Sequence, residues 1–237
     1  MAVGAKRRRA GAIGGVVLCA VVGLVVLAQV FLPSVAAKRV ESRVARYGTV
    51  ESVKVSAFPA VKLLWRKADT VRVNAGALTL TAAQVGSLLW EGRGTNDMTV
   101  TARTVTLRVP VLLPSGLTVS DVRMEKHGSS IHATATLTQE QLDGALPSGF
   151  HIQPVGSTEG EVQARVSGGL FGLQATIEAV VRPSEGKLVT EPKGLPLGGI
   201  AAITLFSDPH LKVESIGVRT IGQSPLTYGL TLEAILV

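Results

Sequence analysis

One cysteine in 237 residues, Cys19, excludes an intrachain disulfide. The fold must therefore rest on a packed core rather than on cross-links. Cys19 also raises a lipoprotein signal, but Leu18 stands where such signals require a small residue, and Cys19 reads as an ordinary packing residue. Aromatic residues are scarce, and no basic groove is interleaved with them, which argues against nucleic acid as a partner. Catalytic signatures are missing too: there is no G-x-S-x-G elbow, no P-loop and no H-E-x-x-H. The four histidines, His127, His132, His151 and His210, are scattered. His127 and His132 flank a turn, and two histidines alone do not make a metal site, so no cofactor or metal is expected.

Charge is absent from a single long stretch, Ala10 to Leu32, whose one strongly polar residue is Gln29. At helical rise these ~23 residues reach roughly 34 Å, enough to cross a ~30 Å hydrocarbon core. Lys6, Arg7, Arg8 and Arg9 precede it and hold the short N-terminal side in the cytoplasm. The competing reading is a cleaved signal peptide, with Val35-Ala36-Ala37 as the small-residue site. The apolar run is longer than a signal core of about 7–15 residues, and Pro33 ends it. Under either reading the remaining chain is exported. The expected order is a basic cytoplasmic tail (1–9), a single-pass membrane anchor (10–32), an amphipathic connecting helix (33–48) and an extracytoplasmic domain (49–237).

The charge that remains is unevenly placed. Residues 38–72 hold nine Lys/Arg against three acids, whereas residues 73–237 hold eleven against fourteen. Basic character is concentrated beside the apolar run, which suits anionic lipid head groups or acidic glycans as well as a plain solvated helix face.

Past Pro33, Ser34 is placed to cap a helix whose Ala36, Val40, Val44 and Tyr47 recur at helical spacing until Gly48. Val50–Val55 alternates as a strand, Phe58-Pro59 breaks it, and Ala60–Lys67 reads as a short helix. Strands are expected at Val71–Val73 and on through Leu80, then a second short helix over Ala82–Trp90 and a loop at 91–94. Met98–Val109 follows, with a phase shift near Arg103–Thr104 that suggests a bulge. Leu117–Met124, with a second phase shift between Val119 and Val122, and Ile131–Leu137 are further strands, and Thr138 with Gln141 forms a capping box for a helix over Gln139–Ala145. The second half repeats this texture: Phe150–Val155, Val162–Val166, a hairpin at Gly168-Gly169, and Leu173–Ala179. A short strand at Leu188–Val189, a short helix over Ile200–Phe206, and strands Leu211–Val218 and Leu226–Leu236 complete it. This is an α+β chain with a large curved antiparallel sheet and short helices. Its alternating faces at Val50–Val55, Val71–Val73 and Leu173–Ala179 are expected to line one core or cavity.

The run VESVKVSAFPAVKLLWRKADTVRVNAGALTL resembles the LmeA-like phospholipid-binding family of actinobacterial envelope proteins. The order of membrane segment, strand, Phe-Pro turn with short amphipathic helix, and Val-x-Val strand carries the likeness, with Ala60 standing where the family often has a second aromatic. Met98–Leu146 and the final hairpin, Lys212–Leu236, look similar as well. The resemblance implies phospholipid binding in the cell envelope, linked in one branch to maturation of mannose-containing lipoglycans. It implies a fold similar to tubular lipid-binding modules, in which a curved sheet wraps a long helix, and it carries over no catalytic residues.

Two further classes stay open: an envelope scaffold recruiting a glycosyltransferase or another protein, and a glycan-processing enzyme built on acids such as Glu159 and Glu161, two apart on a strand. No protein partner is legible in the residues. For the lipid reading, Phe58, Pro59, Val61, Leu64 and Trp65 combine a rigid turn with a small apolar face. Lys62, Arg66 and Lys67 surround it and Arg72 follows. Trp prefers the head-group level and basic side chains attract phosphates, so this stretch suits a lip that touches lipid. Equally, Phe58, Leu64 and Trp65 suit a plug at one end of the core.

Overall fold

The computed structural model describes residues 29, 31–109, 113–170, 173–193 and 202–237. Most of the apolar run Ala10–Leu32 lies outside these residues, and so does the proposed cleavage reading's upstream segment. Among the described residues, no helix is long and apolar enough to cross a membrane.

Helix α1 covers residues 31–44. Pro33 stands inside it rather than ending it, and Ser34 does not cap: its hydroxyl donates to the Phe31 carbonyl at 2.8 Å. Val40 and Val44 face the sheet, and the helix closes with Tyr47 N–H donating to Val44 O at 2.9 Å. The Tyr47 carbonyl accepts from Thr79 N–H at 2.7 Å, tying the end of α1 to the sheet it covers.

Among the described residues, twelve strands form two sheets. The first, of seven strands, runs β1 (Gly48–Ser56), β2 (Ala68–Thr81), β3 (Thr95–Val109), β4 (Leu113–His127), β5 (Ser130–Thr138), β12 (Leu226–Leu236), β11 (Leu211–Gln223). The second, of five, runs β10 (Ile203–Phe206), β9 (Lys187–Lys193), β8 (Leu173–Ser184), β7 (Glu161–Leu170), β6 (Phe150–Thr158). The single large sheet expected from the alternation is thus two. Every pairing is antiparallel except β2 with β3, whose connection carries α2 (Ala82–Glu91) across the face of the sheet. Of Ile200–Phe206, read as a helix, residues 200 and 201 lie outside the described residues and Ile203–Phe206 form strand β10 instead: four residues of Ile, Thr, Leu and Phe fit a pleated surface and are too few to nucleate a stable helix.

The first sheet has a dry face and a wet one. Val71, Val73, Ala75, Leu78 and Leu80 of β2 point to the dry face with Ala102, Val105, Val119 and Leu137. That face is covered by α1, α2 and α3 (Gln139–Ala145). The wet face is a mesh of polar pairs: Asn74 donates to Ser52 at 3.0 Å and accepts from Thr101 at 2.7 Å, and Arg103 pairs with Glu51. The bulge expected at Arg103–Thr104 is not there, since β3 keeps register with both neighbours at that point. The extra residue sits on β4 opposite β5, between Ser120 and Arg123, at the second expected phase shift, where Asp121 adopts φ 48°. Buried positions on β2 and β3 change phase alongside it, from Ala75 to Leu78 and from Ala102 to Val105.

The second sheet docks its turns on the edge strand β11. Gly160 O accepts from Ile216 N–H at 3.0 Å and Gly186 O from Val213 N–H at 2.9 Å. Val162 and Val181 pack there against Val218 and Tyr228. Leu173–Ala179 therefore does not share the core of Val53, Val55, Val71 and Val73: Ala175 is exposed and Ile177 and Ala179 only half-buried, in the other sheet. Gly168-Gly169, read as a hairpin turn, lies within β7.

One repeat escaped the reading of the sequence. Thr79-Leu80-Thr81 with Gln84 and Thr136-Leu137-Thr138 with Gln141 are the same strand-to-helix joint. Each threonine hydroxyl accepts from the glutamine N–H (3.3 and 3.2 Å), and each glutamine carbonyl takes the threonine N–H (2.8 and 2.9 Å). Leu80 and Leu137 anchor both joints in one cluster, so α2 and α3 land on the same face.

Candidate functional site

Residues 57–69 form a tip at the end of β1 and β2. Pro59 leads into a 3-10 helix, Ala60–Trp65. Three residues per turn put 60 and 63 on one side, 61 and 64 on a second and 62 and 65 on a third. The sequence divides accordingly: Ala60, 1% exposed, and Leu63 turn inward, toward Ala68, Val71 and Val73. Phe58, Leu64 and Trp65 turn outward, 76%, 64% and 67% exposed, with Val61 beside them. A core plug is not what these side chains form.

The tip is clamped on three sides. The Asp69 carboxylate accepts Phe58 N–H at 2.6 Å and pairs with Lys62 at 3.3 Å. The Phe58 N–H bond, assisted by the Lys62 charge and opposed by partial desolvation, holds the Asp69 carboxyl below the usual carboxylate range. From the other side, the Gln29 amide donates to Ala57 O at 3.1 Å and accepts Ala60 N–H at 2.8 Å. Underneath, Arg66 ends the 3-10 helix in a left-handed turn, φ 57°, and its carbonyl lies against Gly94. A Cβ on Gly94 would come within 2.5 Å of that oxygen, so only glycine admits the contact.

Of the predicted basic residues, Lys62 is engaged by Asp69, while Arg66 and Lys67 are exposed and make no ion pair among the described residues. Arg72 alternates with buried Val71 and Val73, so it faces the wet side of the sheet, away from the tip.

The other candidates disperse. Glu159 sits in the turn between β6 and β7, with φ 54°, while Glu161 opens β7; the two do not share a strand face. His127 meets Asp97 at 2.7 Å, His151 meets Asp143 at 3.4 Å, His210 meets Asp208 at 3.5 Å and His132 meets Glu233 at 3.9 Å. Each histidine has one carboxylate, and no group of three or more metal-ligating side chains occurs among the described residues. Trp90 is held away from the tip, between the His210 ring at 4.2 Å and the Arg93 guanidinium at 4.2 Å. Open polar depressions of about 550 Å³ beside α3 and about 270 Å³ on the wet face lie apart from the tip.

Two buried polar groups had no signal in the sequence. Lys126 is fully buried on the dry face, its ammonium donating to Thr95 O, and burial pushes its pKa down. Alternation with Val122 and Met124 places it inward, against expectation for a lysine. Tyr228 is buried with its hydroxyl donating to Gln139 Oε1 at 2.7 Å; Gln139 Nε2 in turn donates to Ile152 O at 2.8 Å and Asp143 at 3.0 Å.

The fold and the tip define a β-rich, two-sheet domain that presents a clamped apolar turn to its surroundings. The chain belongs to the LmeA-like phospholipid-binding family, whose model matches residues 27–216. The match opens inside the apolar run and ends in β11, covering the tip, the two repeated joints, the second sheet and the first sheet up to the start of β11, with β12 beyond it. No curated protein and no solved structure matches the chain.

Proposed function

We propose that this protein binds phospholipid at the outer face of a cell membrane, held there by Ala10–Leu32 as a single-pass anchor with the domain extracytoplasmic. The tip is the part that meets lipid. The observation that carries the reading is the outward apolar face of the tip: Phe58 before the 3-10 helix and Val61, Leu64 and Trp65 on it stay in water in a chain whose family binds phospholipid. Trp65 suits the head-group level, and Arg66 and Lys67 supply charge for anionic phosphates. Lys62, salt-bridged to Asp69, orders the turn and contributes less to binding. Pro59 stiffens the approach. Maturation of envelope lipoglycans is the finer role that the family resemblance supports.

Native mass spectrometry of the detergent-purified full chain, with lipid extraction, tests the reading. Stoichiometric phospholipid that falls on replacing Leu64 and Trp65 by Ser is the expected result. A lipid-free protein that also takes up none from mixed micelles refutes it.

A further inference from the structure

Gln29 is the polar exception in the apolar run, and both ends of its carboxamide bond to the tip. It donates to Ala57 O at 3.1 Å and accepts Ala60 N–H at 2.8 Å, bracketing Phe58-Pro59. The residue is helical, as are residues 31–44, so both bonds join the helical end of the apolar run to the mouth of the domain. A polar side chain in such a run is unfavourable in hydrocarbon unless its hydrogen bonds are met; here protein backbone meets both.

From this geometry we infer that Gln29 is a positioning residue that sets the depth of the tip in the membrane. The inference rests on the lipid-facing reading proposed above. Gln29 lies three residues before the end of the run at Leu32, which at 1.5 Å per residue is roughly 5 Å inside it. A turn bonded to Gln29 is therefore held near the boundary between acyl chains and head groups, the zone in which interfacial apolar faces settle. Phe58, Leu64 and Trp65 project from that turn, and Arg66 and Lys67 follow at its edge. Two bonds to one planar amide fix direction as well as height. Asp69, bonded to Phe58 N–H from the domain side, makes the turn rigid enough to transmit that position. The occupant of the apolar tip is thus the outer leaflet of the bilayer that holds the chain's own apolar run.

The test uses the full chain with Trp90→Phe, leaving Trp65 as the sole tryptophan. It is reconstituted in phosphatidylcholine–phosphatidylglycerol vesicles carrying lipids brominated near the head group or deep in the acyl chain. Trp65 emission is expected to be quenched at least twofold by the shallow label. Gln29→Met, similar in size but without the amide, should reduce that quenching at least twofold and speed exchange of the Ala60 amide, with the melting temperature of the domain unchanged. Gln29→Asn, one methylene shorter, should fall between, and it decides the matter if Gln29→Met fails to assemble. Equal quenching and equal Ala60 exchange in parent and variants would overturn the inference, as would a parent Trp65 that no brominated lipid quenches. Loss of lipid in mass spectrometry with Gln29-dependent quenching intact would refute the binding reading alone.

Discussion

Removing the apolar face of the tip should detach the domain from vesicles without unfolding it. Leu64 and Trp65 leave about two-thirds of their surface in water, 64% and 67%. Full burial of such side chains contributes about 1.5–3 kcal/mol each, so the exposed share corresponds to roughly 1–2 kcal/mol per residue and about 2–4 kcal/mol together. At about 1.4 kcal/mol per tenfold, the doubly substituted Leu64→Ser, Trp65→Ser protein should bind about 30- to several-hundred-fold more weakly. The assay is co-sedimentation of a chain lacking residues 1–28 with phosphatidylglycerol vesicles, alongside thermal unfolding by circular dichroism. Since neither side chain packs in the core, the melting temperature should stay within about 2 °C, the effect of a few tenths of a kcal/mol. Arg66→Gln with Lys67→Gln should lose about 1 kcal/mol per charge on anionic vesicles and nothing on phosphatidylcholine. A change below threefold in both variants, with both folded, would show that the exposed face has no part in lipid contact.

Asp69 should make the tip sensitive to acid. Its pKa is depressed in the folded chain, so its contribution is complete above the ordinary carboxylate value near 4 and is lost as pH falls through the lower folded value. Exchange of the Phe58 amide should therefore accelerate below about pH 4, and Asp69→Asn should abolish that pH dependence; an unchanged profile counts against the clamp. For Lys126 the slope has the same sign in a higher pH window, but there the folded-state charge is a penalty rather than a contribution. Burial lowers its pKa, so folding is penalised while it is charged in the folded state, and stability should rise with pH between that value and about 10.4. Lys126→Met should remove this rise and gain about 1 kcal/mol or more at neutral pH in urea unfolding; a loss would show that the Thr95 contact outweighs the desolvation. Tyr228→Phe strips Gln139 Oε1 of its donor and should cost about 1–2 kcal/mol in the same assay, with a change under 0.3 kcal/mol showing that water replaces the hydroxyl.

The alternation of Val50–Val55, Val71–Val73 and Leu226–Leu236 determined strands on its own, because a period of two sorts side chains to two faces wherever one face is dry. The Thr138–Gln141 box determined its helix start for an equally local reason: donor and acceptor lie three residues apart in the chain. Phe58-Pro59 and the apolar residues after it marked the tip, but a pattern that suits a plug also suits a lip. Only the docking of Ala60 and Leu63 on β2 decided which side chains face out. The split into two sheets was likewise invisible, since β12 reaches across the chain to pair with β5 and carries β11 with it, and which strand neighbours which is a long-range choice that alternation does not encode. Local charge led to Arg72 being grouped with the tip; the pleat turned it to the opposite face. Lys126 was pulled inward by the strand that carries it, and Gln29 became legible only when folding brought the backbone of residues 57 and 60 to its amide. A hydrogen bond spanning about thirty residues leaves no periodic trace in a sequence, because nothing local requires the two partners to match.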